Sequence, residues 1–296
     1  SKLPAEIGNL SNLERLFIND NEITSLPAEI KNLLNLSVLD LRNNFLNIPP
    51  EILENRTNPN SIISYYFNTI DIPNDEKIPL REAKLLLVGQ GSVGKSSIVN
   101  RLVNKMFNPQ ENKTEGINIT KWKTPDGKYK LNIWDFGGQE IMHATHQFFL
   151  TRRAIYILVY DVRLDEVGNR LDYWFKTIES VGGESPIIIV GNKYDQQPLD
   201  LNERGIRAKY HTVVDIVETS CLTGEGLDKL VNIIAKTVEE LPHINDTVPK
   251  SWFTVKQTLE GITKNYMDYD RYLELCVNTK IVDRISQATL IDFLHD

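Results

Sequence analysis

Lys84-Leu-Leu-Leu-Val-Gly-Gln-Gly-Ser-Val-Gly-Lys-Ser-Ser97 turns an apolar run into Gly89-x-x-x-x-Gly94-Lys95-Ser96 and then into the helix-like Ile98-Val-Asn-Arg-Leu-Val103. This is the pattern of a phosphate-binding loop. Glycines let the main chain curl until several N–H groups face one anion, and the following helix adds the positive end of its dipole. Gly91, Ser92, Val93, Gly94, Lys95, Ser96 and Ser97 form the expected cradle. Lys95 has the length to reach β- and γ-phosphates, and the Ser96 hydroxyl is a ligand for magnesium.

The same stretch satisfies Gly-x-Gly-x-x-Gly through Gly89, Gly91 and Gly94, so a dinucleotide-binding reading competes. A dinucleotide pyrophosphate has no terminal phosphoryl group that needs a lysine and a metal-holding hydroxyl. A dinucleotide unit also wants an acidic residue at the end of its second strand, about twenty residues on. Glu111 and Glu115 stand near that distance, but in a polar stretch without strand character.

Two downstream motifs decide between the readings. Asp135-Phe-Gly-Gly138 closes the strand-like Lys130-Leu-Asn-Ile-Trp134, and Asn192-Lys-Tyr-Asp195 closes the apolar Ile187-Ile-Ile-Val190. Ligands of open α/β sheets bind beyond the carboxyl ends of the strands, so three motifs in that context converge on one pocket. Their order and spacing point to a GTP-binding domain.

Residues 82–242 resemble the Ras-like GTPase superfamily, and the resemblance implies roles for residues that match its motifs. Asp135 is the implied metal-side carboxylate. Gly138 is the residue whose N–H meets the γ-phosphate, and Gln139 stands where the family keeps the glutamine that orients the attacking water. Thr114, in Lys113-Thr-Glu-Gly116, matches the threonine that ligates magnesium when GTP is present. The Asp195 carboxylate can accept hydrogen bonds from guanine N1 and N2, a pair of donors that adenine does not present. Asn192 and the stem of Lys193 brace the base and its loop. The fifth motif departs from the pattern: the usual Ser-Ala-Lys is Ser220-Cys221-Leu222, which leaves the main-chain N–H of Cys221 to meet the base.

Blander readings stand beside these. Gln139 also suits an exposed helix start. His143 and His146 are three apart, but no cysteine or carboxylate pair nearby completes a metal set, so structural or surface roles are expected. Arg152, Arg153 and Arg163 are candidate transition-state cations, with Arg163 carried forward as the catalytic candidate, although an arginine near such a loop is more often solvated or salt-bridged.

The chain has 296 residues, too many for one such domain, and a formal net charge of −7 with no basic stripe, so nucleic acid is not an expected partner. Cys221 and Cys276 are the only cysteines, which argues for a reducing, cytoplasmic setting rather than a disulfide framework. No apolar run approaches the ~18 residues of a membrane span, and the N-terminus has no signal-peptide layout.

The first 55 residues repeat. Leu3-Pro-Ala-Glu-Ile7 recurs as Leu26-Pro-Ala-Glu-Ile30, an offset of 23 residues, and Leu13-x-x-Leu16-x-Ile18-x-x-Asn21 recurs as Leu36-x-x-Leu39-x-Leu41-x-x-Asn44. These are read as leucine-rich repeats in which alternating apolar residues form a short inward-facing strand and the asparagine satisfies main-chain groups at the next turn. Ile48-Pro-Pro-Glu-Ile52 begins a third unit that loses the pattern, and Ile62, Ile63, Tyr66, Phe67 and Ile70 follow at helical spacing as a cap. So few repeats bury little, and a fragment of a longer array is expected. The flanks of the cap are not basic, which disfavours a membrane-surface helix.

The expected organisation is therefore leucine-rich repeats with a capping helix over 1–70, a polar linker over 71–81, a Ras-like domain over 82–242, and a short helical segment over 243–296 opening at Val248-Pro-Lys-Ser-Trp252. The fold class is α/β, with a mostly parallel sheet in the Ras-like domain. This order resembles the Roco family, with its repeat, Roc and beginning COR segments. The resemblance implies a GTPase that hydrolyses GTP to GDP with Mg²⁺, homodimerises through Roc and COR, and meets protein partners through the repeats. A guanine-nucleotide-binding scaffold with negligible turnover is the alternative from another class.

Overall fold

The apolar runs of the central segment become the middle of a six-stranded sheet. The computed structural model describes residues 2–114, 116–137, 154–242, 244–262 and 266–295. The chain divides into two compact units, one of residues 81–244 and one built jointly from 1–80 and 245–296.

In the first of these, β4 (Glu82–Val88), β5 (Ile117–Lys123), β6 (Lys130–Phe136), β7 (Ala154–Asp161), β8 (Ile187–Asn192) and β9 (Val213–Thr219) lie in the order β5-β6-β4-β7-β8-β9. All neighbours are parallel except β5 and β6, which Thr124-Pro-Asp-Gly127 joins as an antiparallel pair. Successive side chains of a strand face opposite ways. Leu85 and Leu87 accordingly pack with Ile98 and Leu102 of α3 (Lys95–Asn104) and with Leu230 and Ile234 of α6 (Leu227–Glu239). Leu86 and Val88 pack with Trp174 and Phe175 of α4 (Leu171–Gly182) and with Ile206 of α5 (Glu203–Lys209). With both faces covered, β7 and β8 are buried along their whole length, which is why they read as continuous apolar runs. The chain leaves β4 toward β5 and β6 on one side and reaches β7 on the other. That reversal of strand order opens a crevice at the carboxyl ends of the strands.

In the second unit, β1 (Arg15–Phe17) and β2 (Val38–Asp40) pair in parallel with Arg15 opposite Val38, so the structural register carries the sequence period. A 3-10 turn precedes each strand, at Ala5–Asn9 and Ala28–Asn32. Asn44 does the work expected of it: its Nδ2 donates to the carbonyls of Ile18 (2.8 Å) and Leu41 (3.0 Å), and its Oδ1 accepts the Ile23 N–H at 2.9 Å. Two helices follow, α1 (Pro50–Leu53) and α2 (Pro59–Ile70), the latter capped by the Asn58 side chain. The Leu26 N–H donates to the Tyr66 hydroxyl at 3.1 Å, tying α2 to the repeats.

The linker expected over 71–81 contains a strand, β3 (Lys77–Pro79), which pairs antiparallel with β10 (Thr247–Pro249). Ile78 and Leu80 supply apolar character that the polar residues around them masked, and Val248 on the partner strand is buried. Nor do the segments 1–70 and 243–296 form separate bodies. Trp252 of α7 (Lys250–Glu260) meets Tyr65 of α2 edge-on at 5.2 Å, and Phe293 of α9 (Arg284–His295) at 5.6 Å. Ser61 shares a 2.8 Å hydrogen bond with Thr289, and the buried Tyr272 of α8 (Tyr269–Asn278) belongs to the same core as Leu26 and Ile62. Tyr65 is thus buried, whereas Ile70, expected in the apolar stripe, is exposed.

Candidate functional site

The loop between β4 and α3 is shaped by glycines that no other residue replaces. Gly89 has φ +138°, and a Cβ there would lie 2.4 Å from the Val159 carbonyl oxygen. Gly94, at φ +100°, ends the loop against Asn192, whose Nδ2 would stand 2.2 Å from an added Cβ. Between them Gly91 and Ser92 are exposed, while Val93 plugs the core. Lys95 opens α3 and is buried, its Nζ donating to the carbonyls of Gly89 (3.0 Å) and Gln90 (2.9 Å). Burial pulls its pKa down to about 8, with Asp135 acting the other way.

One residue further on, three oxygens from separate segments meet. The Ser96 hydroxyl donates to Asp135 Oδ2 at 2.5 Å and lies 2.6 Å from Thr114 Oγ1, which itself donates to the same carboxylate oxygen at 3.2 Å. Burial pushes the Asp135 carboxyl up from its ordinary value against the pull of Ser96 and Lys95. Its other oxygen, Oδ1, is buried without a hydrogen-bond partner among the described residues. Two hydroxyls and a carboxylate with an unused oxygen are the hard donors that magnesium prefers, and the set fits that ion. The segment carrying Thr114 lies against the end of β6, with the Gly137 N–H donating to the Gly116 carbonyl at 3.0 Å.

At the other end of the crevice Asn192 reaches back to the loop, its Nδ2 donating to the Val93 carbonyl at 2.9 Å. Lys193 donates to the Ser92 carbonyl at 2.8 Å and to Asp161 Oδ2 at 2.6 Å. Asp195 is exposed at the crevice and accepts the Ser220 hydroxyl, while the Thr223 N–H donates to Ser220 Oγ at 3.1 Å. Cys221 is buried, and burial pushes its thiol up to about 12. A cleft of about 710 Å³ runs from Gly91 and Lys95 past Ser96 and Thr114 to Asn192, Asp195 and Leu222.

Arg163 lines this cleft but its charge is already committed. Its Nε and Nη2 form a bidentate pair with Asp161 at 2.9 and 2.8 Å, and Nη1 donates to Gln196 at 3.2 Å. Burial raises the Asp161 carboxyl, but hydrogen bonds from Arg163 and Lys193 outweigh it and bring the group down to about 2. Arg163 thus stands in the salt-bridged arrangement, beside the Asn192–Asp195 loop. Gly138, Gln139, His143, His146, Arg152 and Arg153 lie outside the described residues.

Two contributors escaped sequence reading, and a third, Glu111, was weighed there only for another role. Asp161, at the end of β7, belongs to no local motif. Phe107 lines the cleft and was the lone aromatic between α3 and Thr114, a signal that was available. Glu111 accepts the Ser97 hydroxyl at 3.2 Å and the Asn100 amide, pinning to α3 the segment that leads to Thr114.

Comparison with known proteins speaks to the family and the fold. Residues 84–195 match the family described as Ras of Complex, Roc, domain of DAPkinase. The structure of Methanosarcina barkeri Roco2 RocCORdC bound to GDP superposes with a TM-score of 0.66 and 42% identity, covering 78% of this chain and 71% of that one. The chain belongs to the Roco family. Similarity extends at 28% identity to the probable serine/threonine-protein kinase roco5 of Dictyostelium discoideum over 77% of this chain, and the chain spans 10% of that protein. The Ras-related protein SEC4 of Saccharomyces cerevisiae is 32% identical, over 53% of this chain and 75% of SEC4. Residues 81–244 are thus the Roc, Ras-like fold. No helix among the described residues is long and apolar enough to cross a membrane.

Proposed function

We propose that this Roco chain binds GTP and GDP in the 710 Å³ cleft and hydrolyses GTP to GDP and phosphate. The observation that carries the reading is the meeting of Ser96, Thr114 and Asp135 beside Lys95, with Asp135 Oδ1 left over. Lys95 and the loop amides from Gly91 to Ser97 hold the phosphates. Ser96, Thr114 and Asp135 would hold Mg²⁺, which when bound supplies charge neutralisation on the β- and γ-phosphate oxygens. Asp195 accepts the two guanine donors, the Cys221 N–H meets the base, and Asn192 and Lys193 keep the base loop against the phosphate loop. Gly138 contacts the γ-phosphate and Gln139 orients the water. Lone Ras-like domains turn over slowly without an added cation, which is worth about 10³ to 10⁵ in rate. In this reading homodimerisation through Roc and the COR segment supplies or orders that cation. In the same reading the N-terminal repeats meet protein partners.

Single-turnover hydrolysis of bound GTP by wild type and Gln139→Leu tests the enzyme against the scaffold. The variant is expected to be slower by at least about tenfold. Equal, near-zero rates in both would leave a nucleotide-dependent scaffold.

Lys95 also gives nucleotide binding a pH dependence. Its pKa of about 8 belongs to the burial it endures, and a phosphate anion alongside restores the charged form. Below about pH 8 the ammonium is already present and affinity is flat; above it binding must take up a proton, and affinity falls by up to roughly tenfold per unit. Calorimetric GDP titrations at pH 9 in buffers of different ionisation enthalpy should show uptake of close to one proton, and those at pH 7 almost none. Equal uptake at both values would assign the proton to another group.

A further inference from the structure

The phosphate end and the base end of the cleft are joined by one side chain that neither motif contains. Arg101 lies on α3, six residues after Lys95, on the helix that also carries Ser96. Its Nε donates to the Cys221 carbonyl at 2.7 Å and its Nη2 to the Leu222 carbonyl at 2.9 Å. Its guanidinium also stands over the Phe107 ring, 5.7 Å from the centroid. Phe107, Cys221 and Leu222 all line the cleft.

We propose that Arg101 is the positioning residue that sets how long the base loop holds guanine. The proposal rests on the guanine-nucleotide reading of the cleft. Leu222 stands where a lysine stem would brace the base, and it brings no charge of its own. The fork of Arg101 supplies that bracing from behind. Peptide planarity means that fixing two successive carbonyls fixes two successive peptide planes, and these follow directly on the Cys221 N–H. Arginine suits the task because its donors are set in a rigid planar fork, whereas a lysine ammonium makes a point contact. The guanidinium over Phe107 adds a third lining residue of the cleft to the same side chain. A single guanidinium therefore joins α3 to Cys221, Leu222 and Phe107, three residues that line the cleft.

Arg101→Ala should speed release of a fluorescent GDP analogue by about 10- to 100-fold, the equivalent of one charge-assisted hydrogen bond lost. Magnesium tripolyphosphate, which engages the phosphate end alone, should bind Arg101→Ala and wild type equally in calorimetry. Arg101→Lys should fall between the two in GDP release. Release from Arg101→Ala at the wild-type rate overturns the proposal, and so does a parallel loss of tripolyphosphate affinity, which would make Arg101 a general support of α3. Should Arg101→Ala fail to melt cooperatively, Arg101→Lys decides, and wild-type release from it overturns the proposal. Wild-type protein that binds no GDP overturns the nucleotide reading and this inference together, whereas normal wild-type binding with unchanged variants overturns this inference alone.

Discussion

Asp195→Asn is expected to lower GDP affinity by about two to three orders of magnitude while leaving the weak affinity for ADP where it was. The carboxylate stands exposed at the cleft, with the Ser220 hydroxyl donating to Oδ1 and fixing which way the group faces. Guanine presents two parallel donors, N1–H and the N2 amino group, which a carboxylate can accept together. An asparagine keeps the shape but turns one acceptor into a donor, so one guanine N–H meets another N–H as water is excluded. The loss combines a missing charge-assisted bond with an unpaired polar group. Adenine offers no such pair and loses nothing. Calorimetric Kd values for GDP and ADP on both proteins check this, and an unchanged ratio of the two would move base selection away from Asp195.

Trp252→Ala is expected to remove about 3–5 kcal/mol from the unit formed by residues 1–80 and 245–296, a large part of a typical domain's margin. The indole is buried against Tyr65 and Phe293, so its loss opens a cavity bounded by α2, α7 and α9 at once. Because Tyr66 on α2 also accepts the Leu26 N–H, the N-terminal repeats should unfold in the same transition. Residues 81–244 have their own core, and GDP should still bind there. Thermal melts followed with and without GDP would show one transition moving and one staying. If protease digestion of the variant released folded repeats, the shared core would not be the source of their stability.

What the sequence disclosed depended on how far apart the cooperating residues lie. The strand-loop-helix at Lys84–Ser97 and the acidic motifs at Asp135 and Asp195 keep fixed local spacing, so the Roc fold and most residues of the candidate site could be named directly. β8 and β9 followed from apolar runs with turns on either side, and the repeat period survived as strand register between Arg15 and Val38. The contacts of Arg101 with Cys221 and Leu222 span some 120 positions and have no local pattern, so only the fold brings them together. Asp161 was hidden for another reason: a lone acid at a strand end is unremarkable until Arg163 and Lys193 are seen to share it. The joint core of the outer segments was concealed because Tyr65 and Trp252 are separated by the whole Roc unit, and β3 looked too polar and too short to be a strand.

The chain enters and leaves the Roc unit at neighbouring points. The Arg81 N–H donates to the Ile244 carbonyl at 3.0 Å, so the folded unit holds its own two ends together. For the remaining residues this acts like a covalent crosslink: β3 and β10 need not search for each other across a long free loop. By analogy with a disulfide closing a loop of more than a hundred residues, the saving in chain entropy is about 5 kcal/mol. As long as residues 81–244 stay folded that closure is in place, and the pairing of β3 with β10 draws on it.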